Sequence, residues 1–378
     1  MRTKENWTYC MPTKVIFGSD CVKDLGNTIK PYKPKRVALV TGRKSMEKSG
    51  TTSKILDHLI GYNIVVYNEV QQNPCASAVD DGVRFLVDEN CDFVIGLGGG
   101  SAIDTAKAIS VMATNQGSVR EYLTGVRELE CRGLPLLAIP TTAGTGTEVT
   151  QYSSIIDEKR KLKMSLSHDF IRPSAAFVDP VLTVTMPRSV TAVTGLDALS
   201  QCVEAYWSKG HTPISDVFAL RGIQLVFECL VKAFNSPSNL TSREKMSLSS
   251  LFSGIAISIA RTTIVHSVSY PLTVRFEVPH GLACSLTLQS FIRYNSKAVK
   301  ARLPNIARAV GAETVEEFAE MVEGLVSSLG LPTRLSEVGV SKGDIETIVR
   351  EGFRPDRAEN NPKRVTSEDL RGILRALL

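Results

Sequence analysis

Histidine is scarce in this chain. There are five in 378 residues, so a site that needs several imidazoles must draw on His58, His168, His211, His266 and His280. Aromatic residues make up only 6%. No stretch interleaves them with a basic stripe, which sets nucleic-acid binding aside. Charge of either sign is nearly balanced, 44 Lys+Arg against 39 Asp+Glu for a formal +5. The densest cations, Lys159, Arg160, Lys161 and Lys163, never form a run of five and fit a solvated loop. No run of about 18 apolar residues exists, so no membrane span is expected. The stretch Met1–Cys10 is polar and has no apolar signal core. The eight cysteines, Cys10, Cys21, Cys75, Cys91, Cys131, Cys202, Cys229 and Cys284, include no CxxC pair. A chain this long needs no disulfide framework, so they are expected to be free buried thiols in a reducing cytoplasm.

Apolar residues, by contrast, are ample at 43%, with 22% charged. That composition excludes disorder as the dominant state and leaves material for a large core. At roughly 150 residues per domain the length predicts about two domains.

The first half alternates short apolar runs with helical stretches. Strands are expected at Val37–Val40, Ile64–Tyr67, Phe93–Leu97, Leu136–Ile139 and Ala176–Val178. Helices are expected around Ile55–Ile60 and over Val79–Asn90, where Val79, Val83, Leu86 and Val87 keep helical spacing. Strands alternating with helices predict a parallel, doubly wound α/β sheet. After Pro187 long helical segments dominate: Ala192–Trp207, Asp216–Ala233, Ser242–Ala260, His280–Tyr294 and Val315–Leu329. Asp179-Pro180 and Met186-Pro187 punctuate the change. The expected boundary therefore divides residues 1–185 from an all-helical 186–378.

Three constellations carry chemistry. Gly98-Gly99-Gly100-Ser101 follows a strand directly and opens a helix that includes Asp104 and Lys107. Glycines let the backbone approach a phosphate closely, and a helix N-terminus offers unpaired N–H groups and partial positive charge. Pro140 through Glu148, PTTAGTGTE, sets small hydroxylated residues and glycines at another strand end, which suits hydrogen bonding to a dinucleotide. The third is dispersed: Asp197 and Gln201 share a helix face, and His266 and His280 follow. One carboxylate and two imidazoles suit a divalent transition metal.

GGGSxxDxAK at 98–107, PTTAGTGTE at 140–148, GLDAL at 195–199 and PHG at 279–281 together resemble the iron-containing (group III) alcohol dehydrogenases. The order and approximate spacing are the family's, over nearly the whole chain. The resemblance implies a dinucleotide-binding domain, an all-helical domain, a cleft between them and a homodimer. It implies that Gly98, Gly99, Gly100 and Ser101 hold the pyrophosphate of NAD(P)H and that Asp104, in the same motif, belongs to the cofactor-binding set. Thr141, Thr142 and Thr145 would line the cofactor path, and Lys161 would contact the cofactor. The metal, Fe2+ ahead of Zn2+ or Mn2+, would sit on Asp197, His266, His280 and the residue at 201.

The sequence departs from the family pattern at two of these places. Gln201 stands where the family's metal set has a histidine, and Tyr270 stands four residues after His266 in place of a second histidine. Gln is a weak neutral ligand, so looser binding, a harder ion or no ion is expected. Tyr270 is a candidate for proton relay or nicotinamide contact. At Gly42 the NAD-preferring members often carry an aspartate; Arg43 and Lys44 follow here, and NADPH is expected to be tolerated or preferred.

The expected reaction is reduction of a small aldehyde by NAD(P)H with Lewis-acid help. Arg261 and Arg275 flank the site residues, as in the branch of the family that reduces phosphonoacetaldehyde or sulfoacetaldehyde, and are candidates to grip an anionic substrate. The alternatives are a dehydrogenase of short neutral alcohols, a dehydroquinate-synthase-like lyase, and a metal-free binding protein.

Overall fold

The computed structural model describes residues 6–378; the polar N-terminal stretch thus lies partly outside the described residues. The chain divides into two compact units. One holds Met11–Thr142 and Thr147–Met186; the other holds Ala143–Gly146 and Pro187–Leu378, together with the described residues before Met11.

The first unit is built on a six-stranded parallel sheet of β1 (Lys14–Phe17), β2 (Val37–Gly42), β3 (Ile64–Val70), β4 (Phe93–Gly98), β5 (Leu136–Pro140) and β8 (Ala175–Val178), in the order β1-β8-β5-β4-β2-β3. A separate antiparallel hairpin joins β6 (Tyr152–Asp157) to β7 (Leu162–Ser167). Burial explains the order. β4 and β5 are buried at every position, as strands covered on both faces must be. β3 and β1 are part-exposed edges. Alternation sorts the central side chains onto two cores: Val37, Leu39, Phe93 and Ile95 on one face, Ala38, Val40 and Val94 on the other.

β2 pairs with both β3 and β4, so the chain reverses its direction of strand addition between β2 and β4. In open parallel sheets ligands bind at the carboxyl ends of the strands at that reversal. Gly42 ends β2 and Gly98 ends β4 there. Two helices of this unit matter below: α1 (Ala76–Asp88) and α2 (Gly100–Met112), the latter buried along nearly its whole length.

The second unit is helical. Its longer helices are α3 (Arg188–Trp207), α4 (Pro213–Asn235), α5 (Leu240–Ala260), α6 (Ile264–Arg275), α7 (His280–Asn295), α8 (Arg302–Ala309), α9 (Val315–Ser328), α10 (Ile345–Gly352) and α11 (Ser367–Ala376). α3 is the central one and packs against α4, α5 and α7. Its C-terminal two-thirds, Gly195 to Trp207, is buried without a break. A helix apolar and buried all round belongs in a core, yet this one carries Asp197, Gln201 and Glu204 inside.

The cysteines are free, but only Cys202, Cys229 and Cys284 are buried; Cys10 and Cys131 are exposed. The expectation of eight buried thiols fails because several sit on loops and edges rather than core faces. Among the described residues no single helix is long and apolar enough to cross a membrane.

Candidate metal and active site

Three helices of the second unit bring four possible ligands together. Asp197 lies on α3, His266 one turn into α6, and His280 and Cys284 one turn apart on α7. One donor atom from each, a carboxylate oxygen, two imidazole nitrogens and the sulfur, lies within 4.8 Å of the others. A divalent ion held at about 2.0–2.3 Å from such atoms fits inside the set. Asp197 Oδ1 is 3.5 Å from His266 Nε2 and 3.9 Å from His280 Nε2. His266 Nε2 is buried with no hydrogen-bond partner among the described residues. A native interior rarely leaves a ring nitrogen so, and a bound metal would satisfy it.

Gly281 makes the cluster possible. A Cβ there would come within 1.8 Å of the Val193 carbonyl oxygen and 3.0 Å of Asp197 Cβ. Only glycine lets the start of α7 lie this close to α3, which carries His280 and Cys284 up to Asp197.

Glu204 stands behind His266. Its carboxylate meets His266 Nδ1 and accepts from the Thr263 N–H at 2.8 Å and the Thr263 hydroxyl at 2.7 Å. Trp207 Nε1 donates to that hydroxyl in turn, at 3.1 Å. Burial raises the Glu204 carboxyl, but the His266 imidazolium and the Thr263 donors outweigh it and hold it below the usual carboxylate range. Held at Nδ1 by Glu204, the ring can offer its Nε2 lone pair to a metal once the Nε2 proton has left, the outer carboxylate–histidine arrangement of metal sites. Burial pushes the Cys284 thiol up, against the pull of His266.

Gln201 is buried on α3, and the Ser253 hydroxyl lies 2.8 Å from its side-chain oxygen. That oxygen, expected as a ligand, is engaged by α5. Tyr270 is buried, its ring stacked on His280 with centroids 6.0 Å apart and planes 24° apart. The guanidinium carbon of Arg354 lies 4.7 Å from the Tyr270 centroid, a cation–π distance. Ser269 Oγ is 3.3 Å from His280 Nδ1.

The two arginines expected at the substrate are engaged elsewhere. Arg261 pairs with Asp356 at 2.8 Å, and Arg275 pairs with Glu351, its Nε 2.6 Å from the carboxylate. Each charge is already neutralised at a part-exposed position.

In the first unit Gly98 takes a φ of +141°, which L side chains rarely adopt, and turns the chain from β4 into α2. Gly99 caps α2, a Cβ on it would lie 3.2 Å from the Thr142 methyl, and Thr141 N donates to Gly98 O at 2.9 Å. The GGGS turn and Thr141–Thr142 thus form one small-residue surface. Ser101 accepts the Asn73 N–H at 3.2 Å. Thr145 belongs with the helical unit, where Gly146 N is 3.3 Å from Ser250 Oγ.

Asp104 is buried, and its carboxylate accepts from Ser154 N at 2.9 Å and Thr147 Oγ1 at 2.5 Å. Its carboxyl is raised by burial, against the lowering charges of Lys107 and Lys163. Lys107 is fully buried and donates to Thr147 Oγ1, Thr150 Oγ1 and Tyr152 O at 2.9, 3.0 and 2.8 Å. Asp104 and Lys107 thus pin the Thr147–Ser154 segment to α2. Lys161 sits in the exposed turn between β6 and β7, whereas Lys163 is buried. At the end of β2, Arg43 pairs with Glu69 at 2.6 Å.

Glu204, Cys284 and Arg354 were not singled out from the sequence. Glu204 lies seven residues after Asp197, and Cys284 four after His280, each on the same helix face; that spacing was available as a signal. Arg354 lies on a different segment from Tyr270, and no sequence pattern links the two.

Comparison with known proteins agrees over the full length. Residues 12–180 match the iron-containing alcohol dehydrogenase family, and residues 191–378 match the C-terminal Fe-containing alcohol dehydrogenase family. An NAD-dependent methanol dehydrogenase of Bacillus methanolicus is 32% identical, with 98% of this chain and 99% of that one aligned. Alcohol dehydrogenase 4 of Saccharomyces cerevisiae is 34% identical, covering 97% of each. The crystal structure of sulfoacetaldehyde reductase from Bifidobacterium kashiwanohense in complex with NAD+ superposes with a TM-score of 0.93 at 34% identity, covering 99% of both chains. The chain belongs to the iron-containing alcohol dehydrogenase family and is an alcohol dehydrogenase or aldehyde reductase.

Proposed function

We propose that the protein reduces a small aldehyde with an anionic head, of the sulfoacetaldehyde or phosphonoacetaldehyde type, to its primary alcohol. When bound, the nicotinamide supplies the hydride and the divalent ion the Lewis acidity that stabilises negative charge developing on the carbonyl oxygen. Asp197, His266, His280 and Cys284 would hold the ion, and Glu204 orients His266 toward it. Gly98, Gly99, Gly100 and Ser101 would cradle the cofactor diphosphate at the start of α2. Tyr270, against His280, holds a proton on its phenol for the product oxygen.

The cofactor reading favours NADH over NADPH. Glu69 neutralises Arg43, which weakens the attraction for a 2′-phosphate that the sequence suggested.

The observation that carries the anionic substrate is the Arg354 guanidinium over Tyr270, itself stacked on His280. A guanidinium can bind a sulfonate or phosphonate bidentately. Arg261 and Arg275 pair with Asp356 and Glu351. The relative with a sulfonated substrate supports the class, whereas the methanol dehydrogenase represents the neutral alternative.

The test is kcat/KM for sulfoacetaldehyde and phosphonoacetaldehyde against propanal. The anionic aldehydes should win. Arg354→Ala should lower their kcat/KM by roughly 10–100-fold, the worth of a charged hydrogen bond, and leave propanal little changed. Preference for propanal, or unchanged discrimination in Arg354→Ala, would reject the anionic reading.

A further inference from the structure

The family is defined by iron, yet the donors gathered here are not those of an all-nitrogen-and-oxygen site. Gln201 occupies the family's histidine position, and its side-chain oxygen is 2.8 Å from Ser253 Oγ. The fourth donor of the cluster comes instead from α7. Cys284 lies one turn after His280, is fully buried, and has its sulfur within 4.8 Å of the Asp197, His266 and His280 donors. Gly281 holds this face of α7 against α3, so His280 and Cys284 reach Asp197 together.

We propose that Cys284 is a metal ligand of this enzyme and that an Asp/His/His/Cys set selects zinc over iron. The fourth donor is then the Cys284 sulfur on α7 rather than the Gln201 oxygen on α3.

The chemistry follows from the donor set. Zinc is borderline-soft and binds sulfur, imidazole and carboxylate together in four-coordinate sites. Thiolate donors shift preference toward zinc, whereas hard oxygen sets favour magnesium, calcium or manganese. Asp197 and a metal-bound Cys284 also carry two negative charges, which balance a divalent ion in a buried site. The inference rests on the reading of this cluster as the metal site, and deepens it.

Cobalt(II) reports on both points without turnover. The protein is stripped with a chelator, titrated with Co2+ and followed by absorption; zinc and ferrous iron are then competed against the cobalt. The expected result is a thiolate-to-cobalt charge-transfer band in the near ultraviolet, together with visible bands of a four-coordinate ion, and displacement by zinc at lower concentration than by iron. Cys284→Ser should lose the charge-transfer band and weaken zinc binding by more than the ~10–100-fold that loss of an outer-shell partner costs. Gln201→Ala should keep the band. The wild-type spectrum alone stands as a test if Cys284→Ser folds poorly. Visible cobalt bands with no charge-transfer band overturn the thiolate ligand and leave the metal site standing. A charge-transfer band that survives in Cys284→Ser, or iron displacing cobalt more readily than zinc, overturns the proposal equally. No cobalt binding at all overturns the metal site with it.

Discussion

Replacing Asp197 with alanine is expected to lower kcat/KM for aldehyde reduction by on the order of 1,000-fold, the several kcal/mol that Lewis-acid stabilisation of a developing oxyanion is worth. Asp197 is the meeting point of the cluster. It sits on the most buried stretch of α3, and its Oδ1 faces both His266 Nε2 and His280 Nε2, at 3.5 and 3.9 Å. Removing it would take the carboxylate from the cluster and leave two imidazoles and a thiol to hold an ion. Asp197→Asn keeps the shape and removes the charge, so it should fail nearly as badly while folding normally. Steady-state kinetics with metal analysis of each variant is the check; near wild-type turnover in either would remove Asp197 from the reaction.

The second large effect lies in the other unit and concerns stability. Lys107→Met is expected to destabilise the sheet unit by on the order of 3 kcal/mol, since it strips donors from buried acceptors. Three oxygens, Thr147 Oγ1, Thr150 Oγ1 and Tyr152 O, surround Lys107 Nζ at 2.8–3.0 Å. At roughly 2–4 °C per kcal/mol for a unit of this size, the melting temperature should drop visibly.

The pH dependence sharpens this. Burial pushes the Lys107 ammonium down to about 7, against the raising charges of Asp104 and Glu148. The unfolded chain then holds the extra proton between pH 7 and the ordinary lysine range, so Lys107 makes stability rise with pH across that window. The variant should lack that rise. Burial also pushes Glu148 up to about 7, and its effect runs the other way below that, with stability falling as pH rises from the ordinary carboxylate range toward 7. Melting curves of both proteins over pH 6 to roughly 10 test the account. An unchanged melting temperature would mean that the three oxygens find other donors.

Much of the fold was legible because the central strands are short, apolar and bounded by glycine or proline. β4 reads as Phe93–Leu97 in the sequence and runs Phe93–Gly98 in the structure. The long helices were legible by their length and apolar spacing: α5 was expected from Ser242 and starts at Leu240. The β6–β7 hairpin was not expected. Its inward positions on β6 include Ser153 and Asp157, so the apolar alternation that marks a strand is missing. α6 was not expected either, because Pro271 stands inside it and β-branched residues open it.

The site was legible only in part, for a physical reason. Asp197, His266 and His280 stand in motifs. Cys284 stands beside one, but a lone cysteine in an apolar helix reads as core. Glu204 reads as an ordinary helical glutamate until α6 brings His266 to it. Arg354 reaches Tyr270 only through tertiary packing. Arg261 and Arg275 show the converse: nearness in sequence to His266 and Tyr270 suggested a shared site, and their carboxylate partners come from Asp356 and Glu351, far along the chain.

If the Asp197–His266–His280 cluster holds a divalent ion, aldehyde reduction depends on that ion. The most direct test is to strip the purified protein with a chelator, follow aldehyde-dependent NADH oxidation, and add back zinc or ferrous iron in measured amounts. Turnover should collapse on stripping and recover to saturation at one ion per chain, with no recovery in Asp197→Ala. Undiminished turnover by the metal-free protein would contradict this dependence.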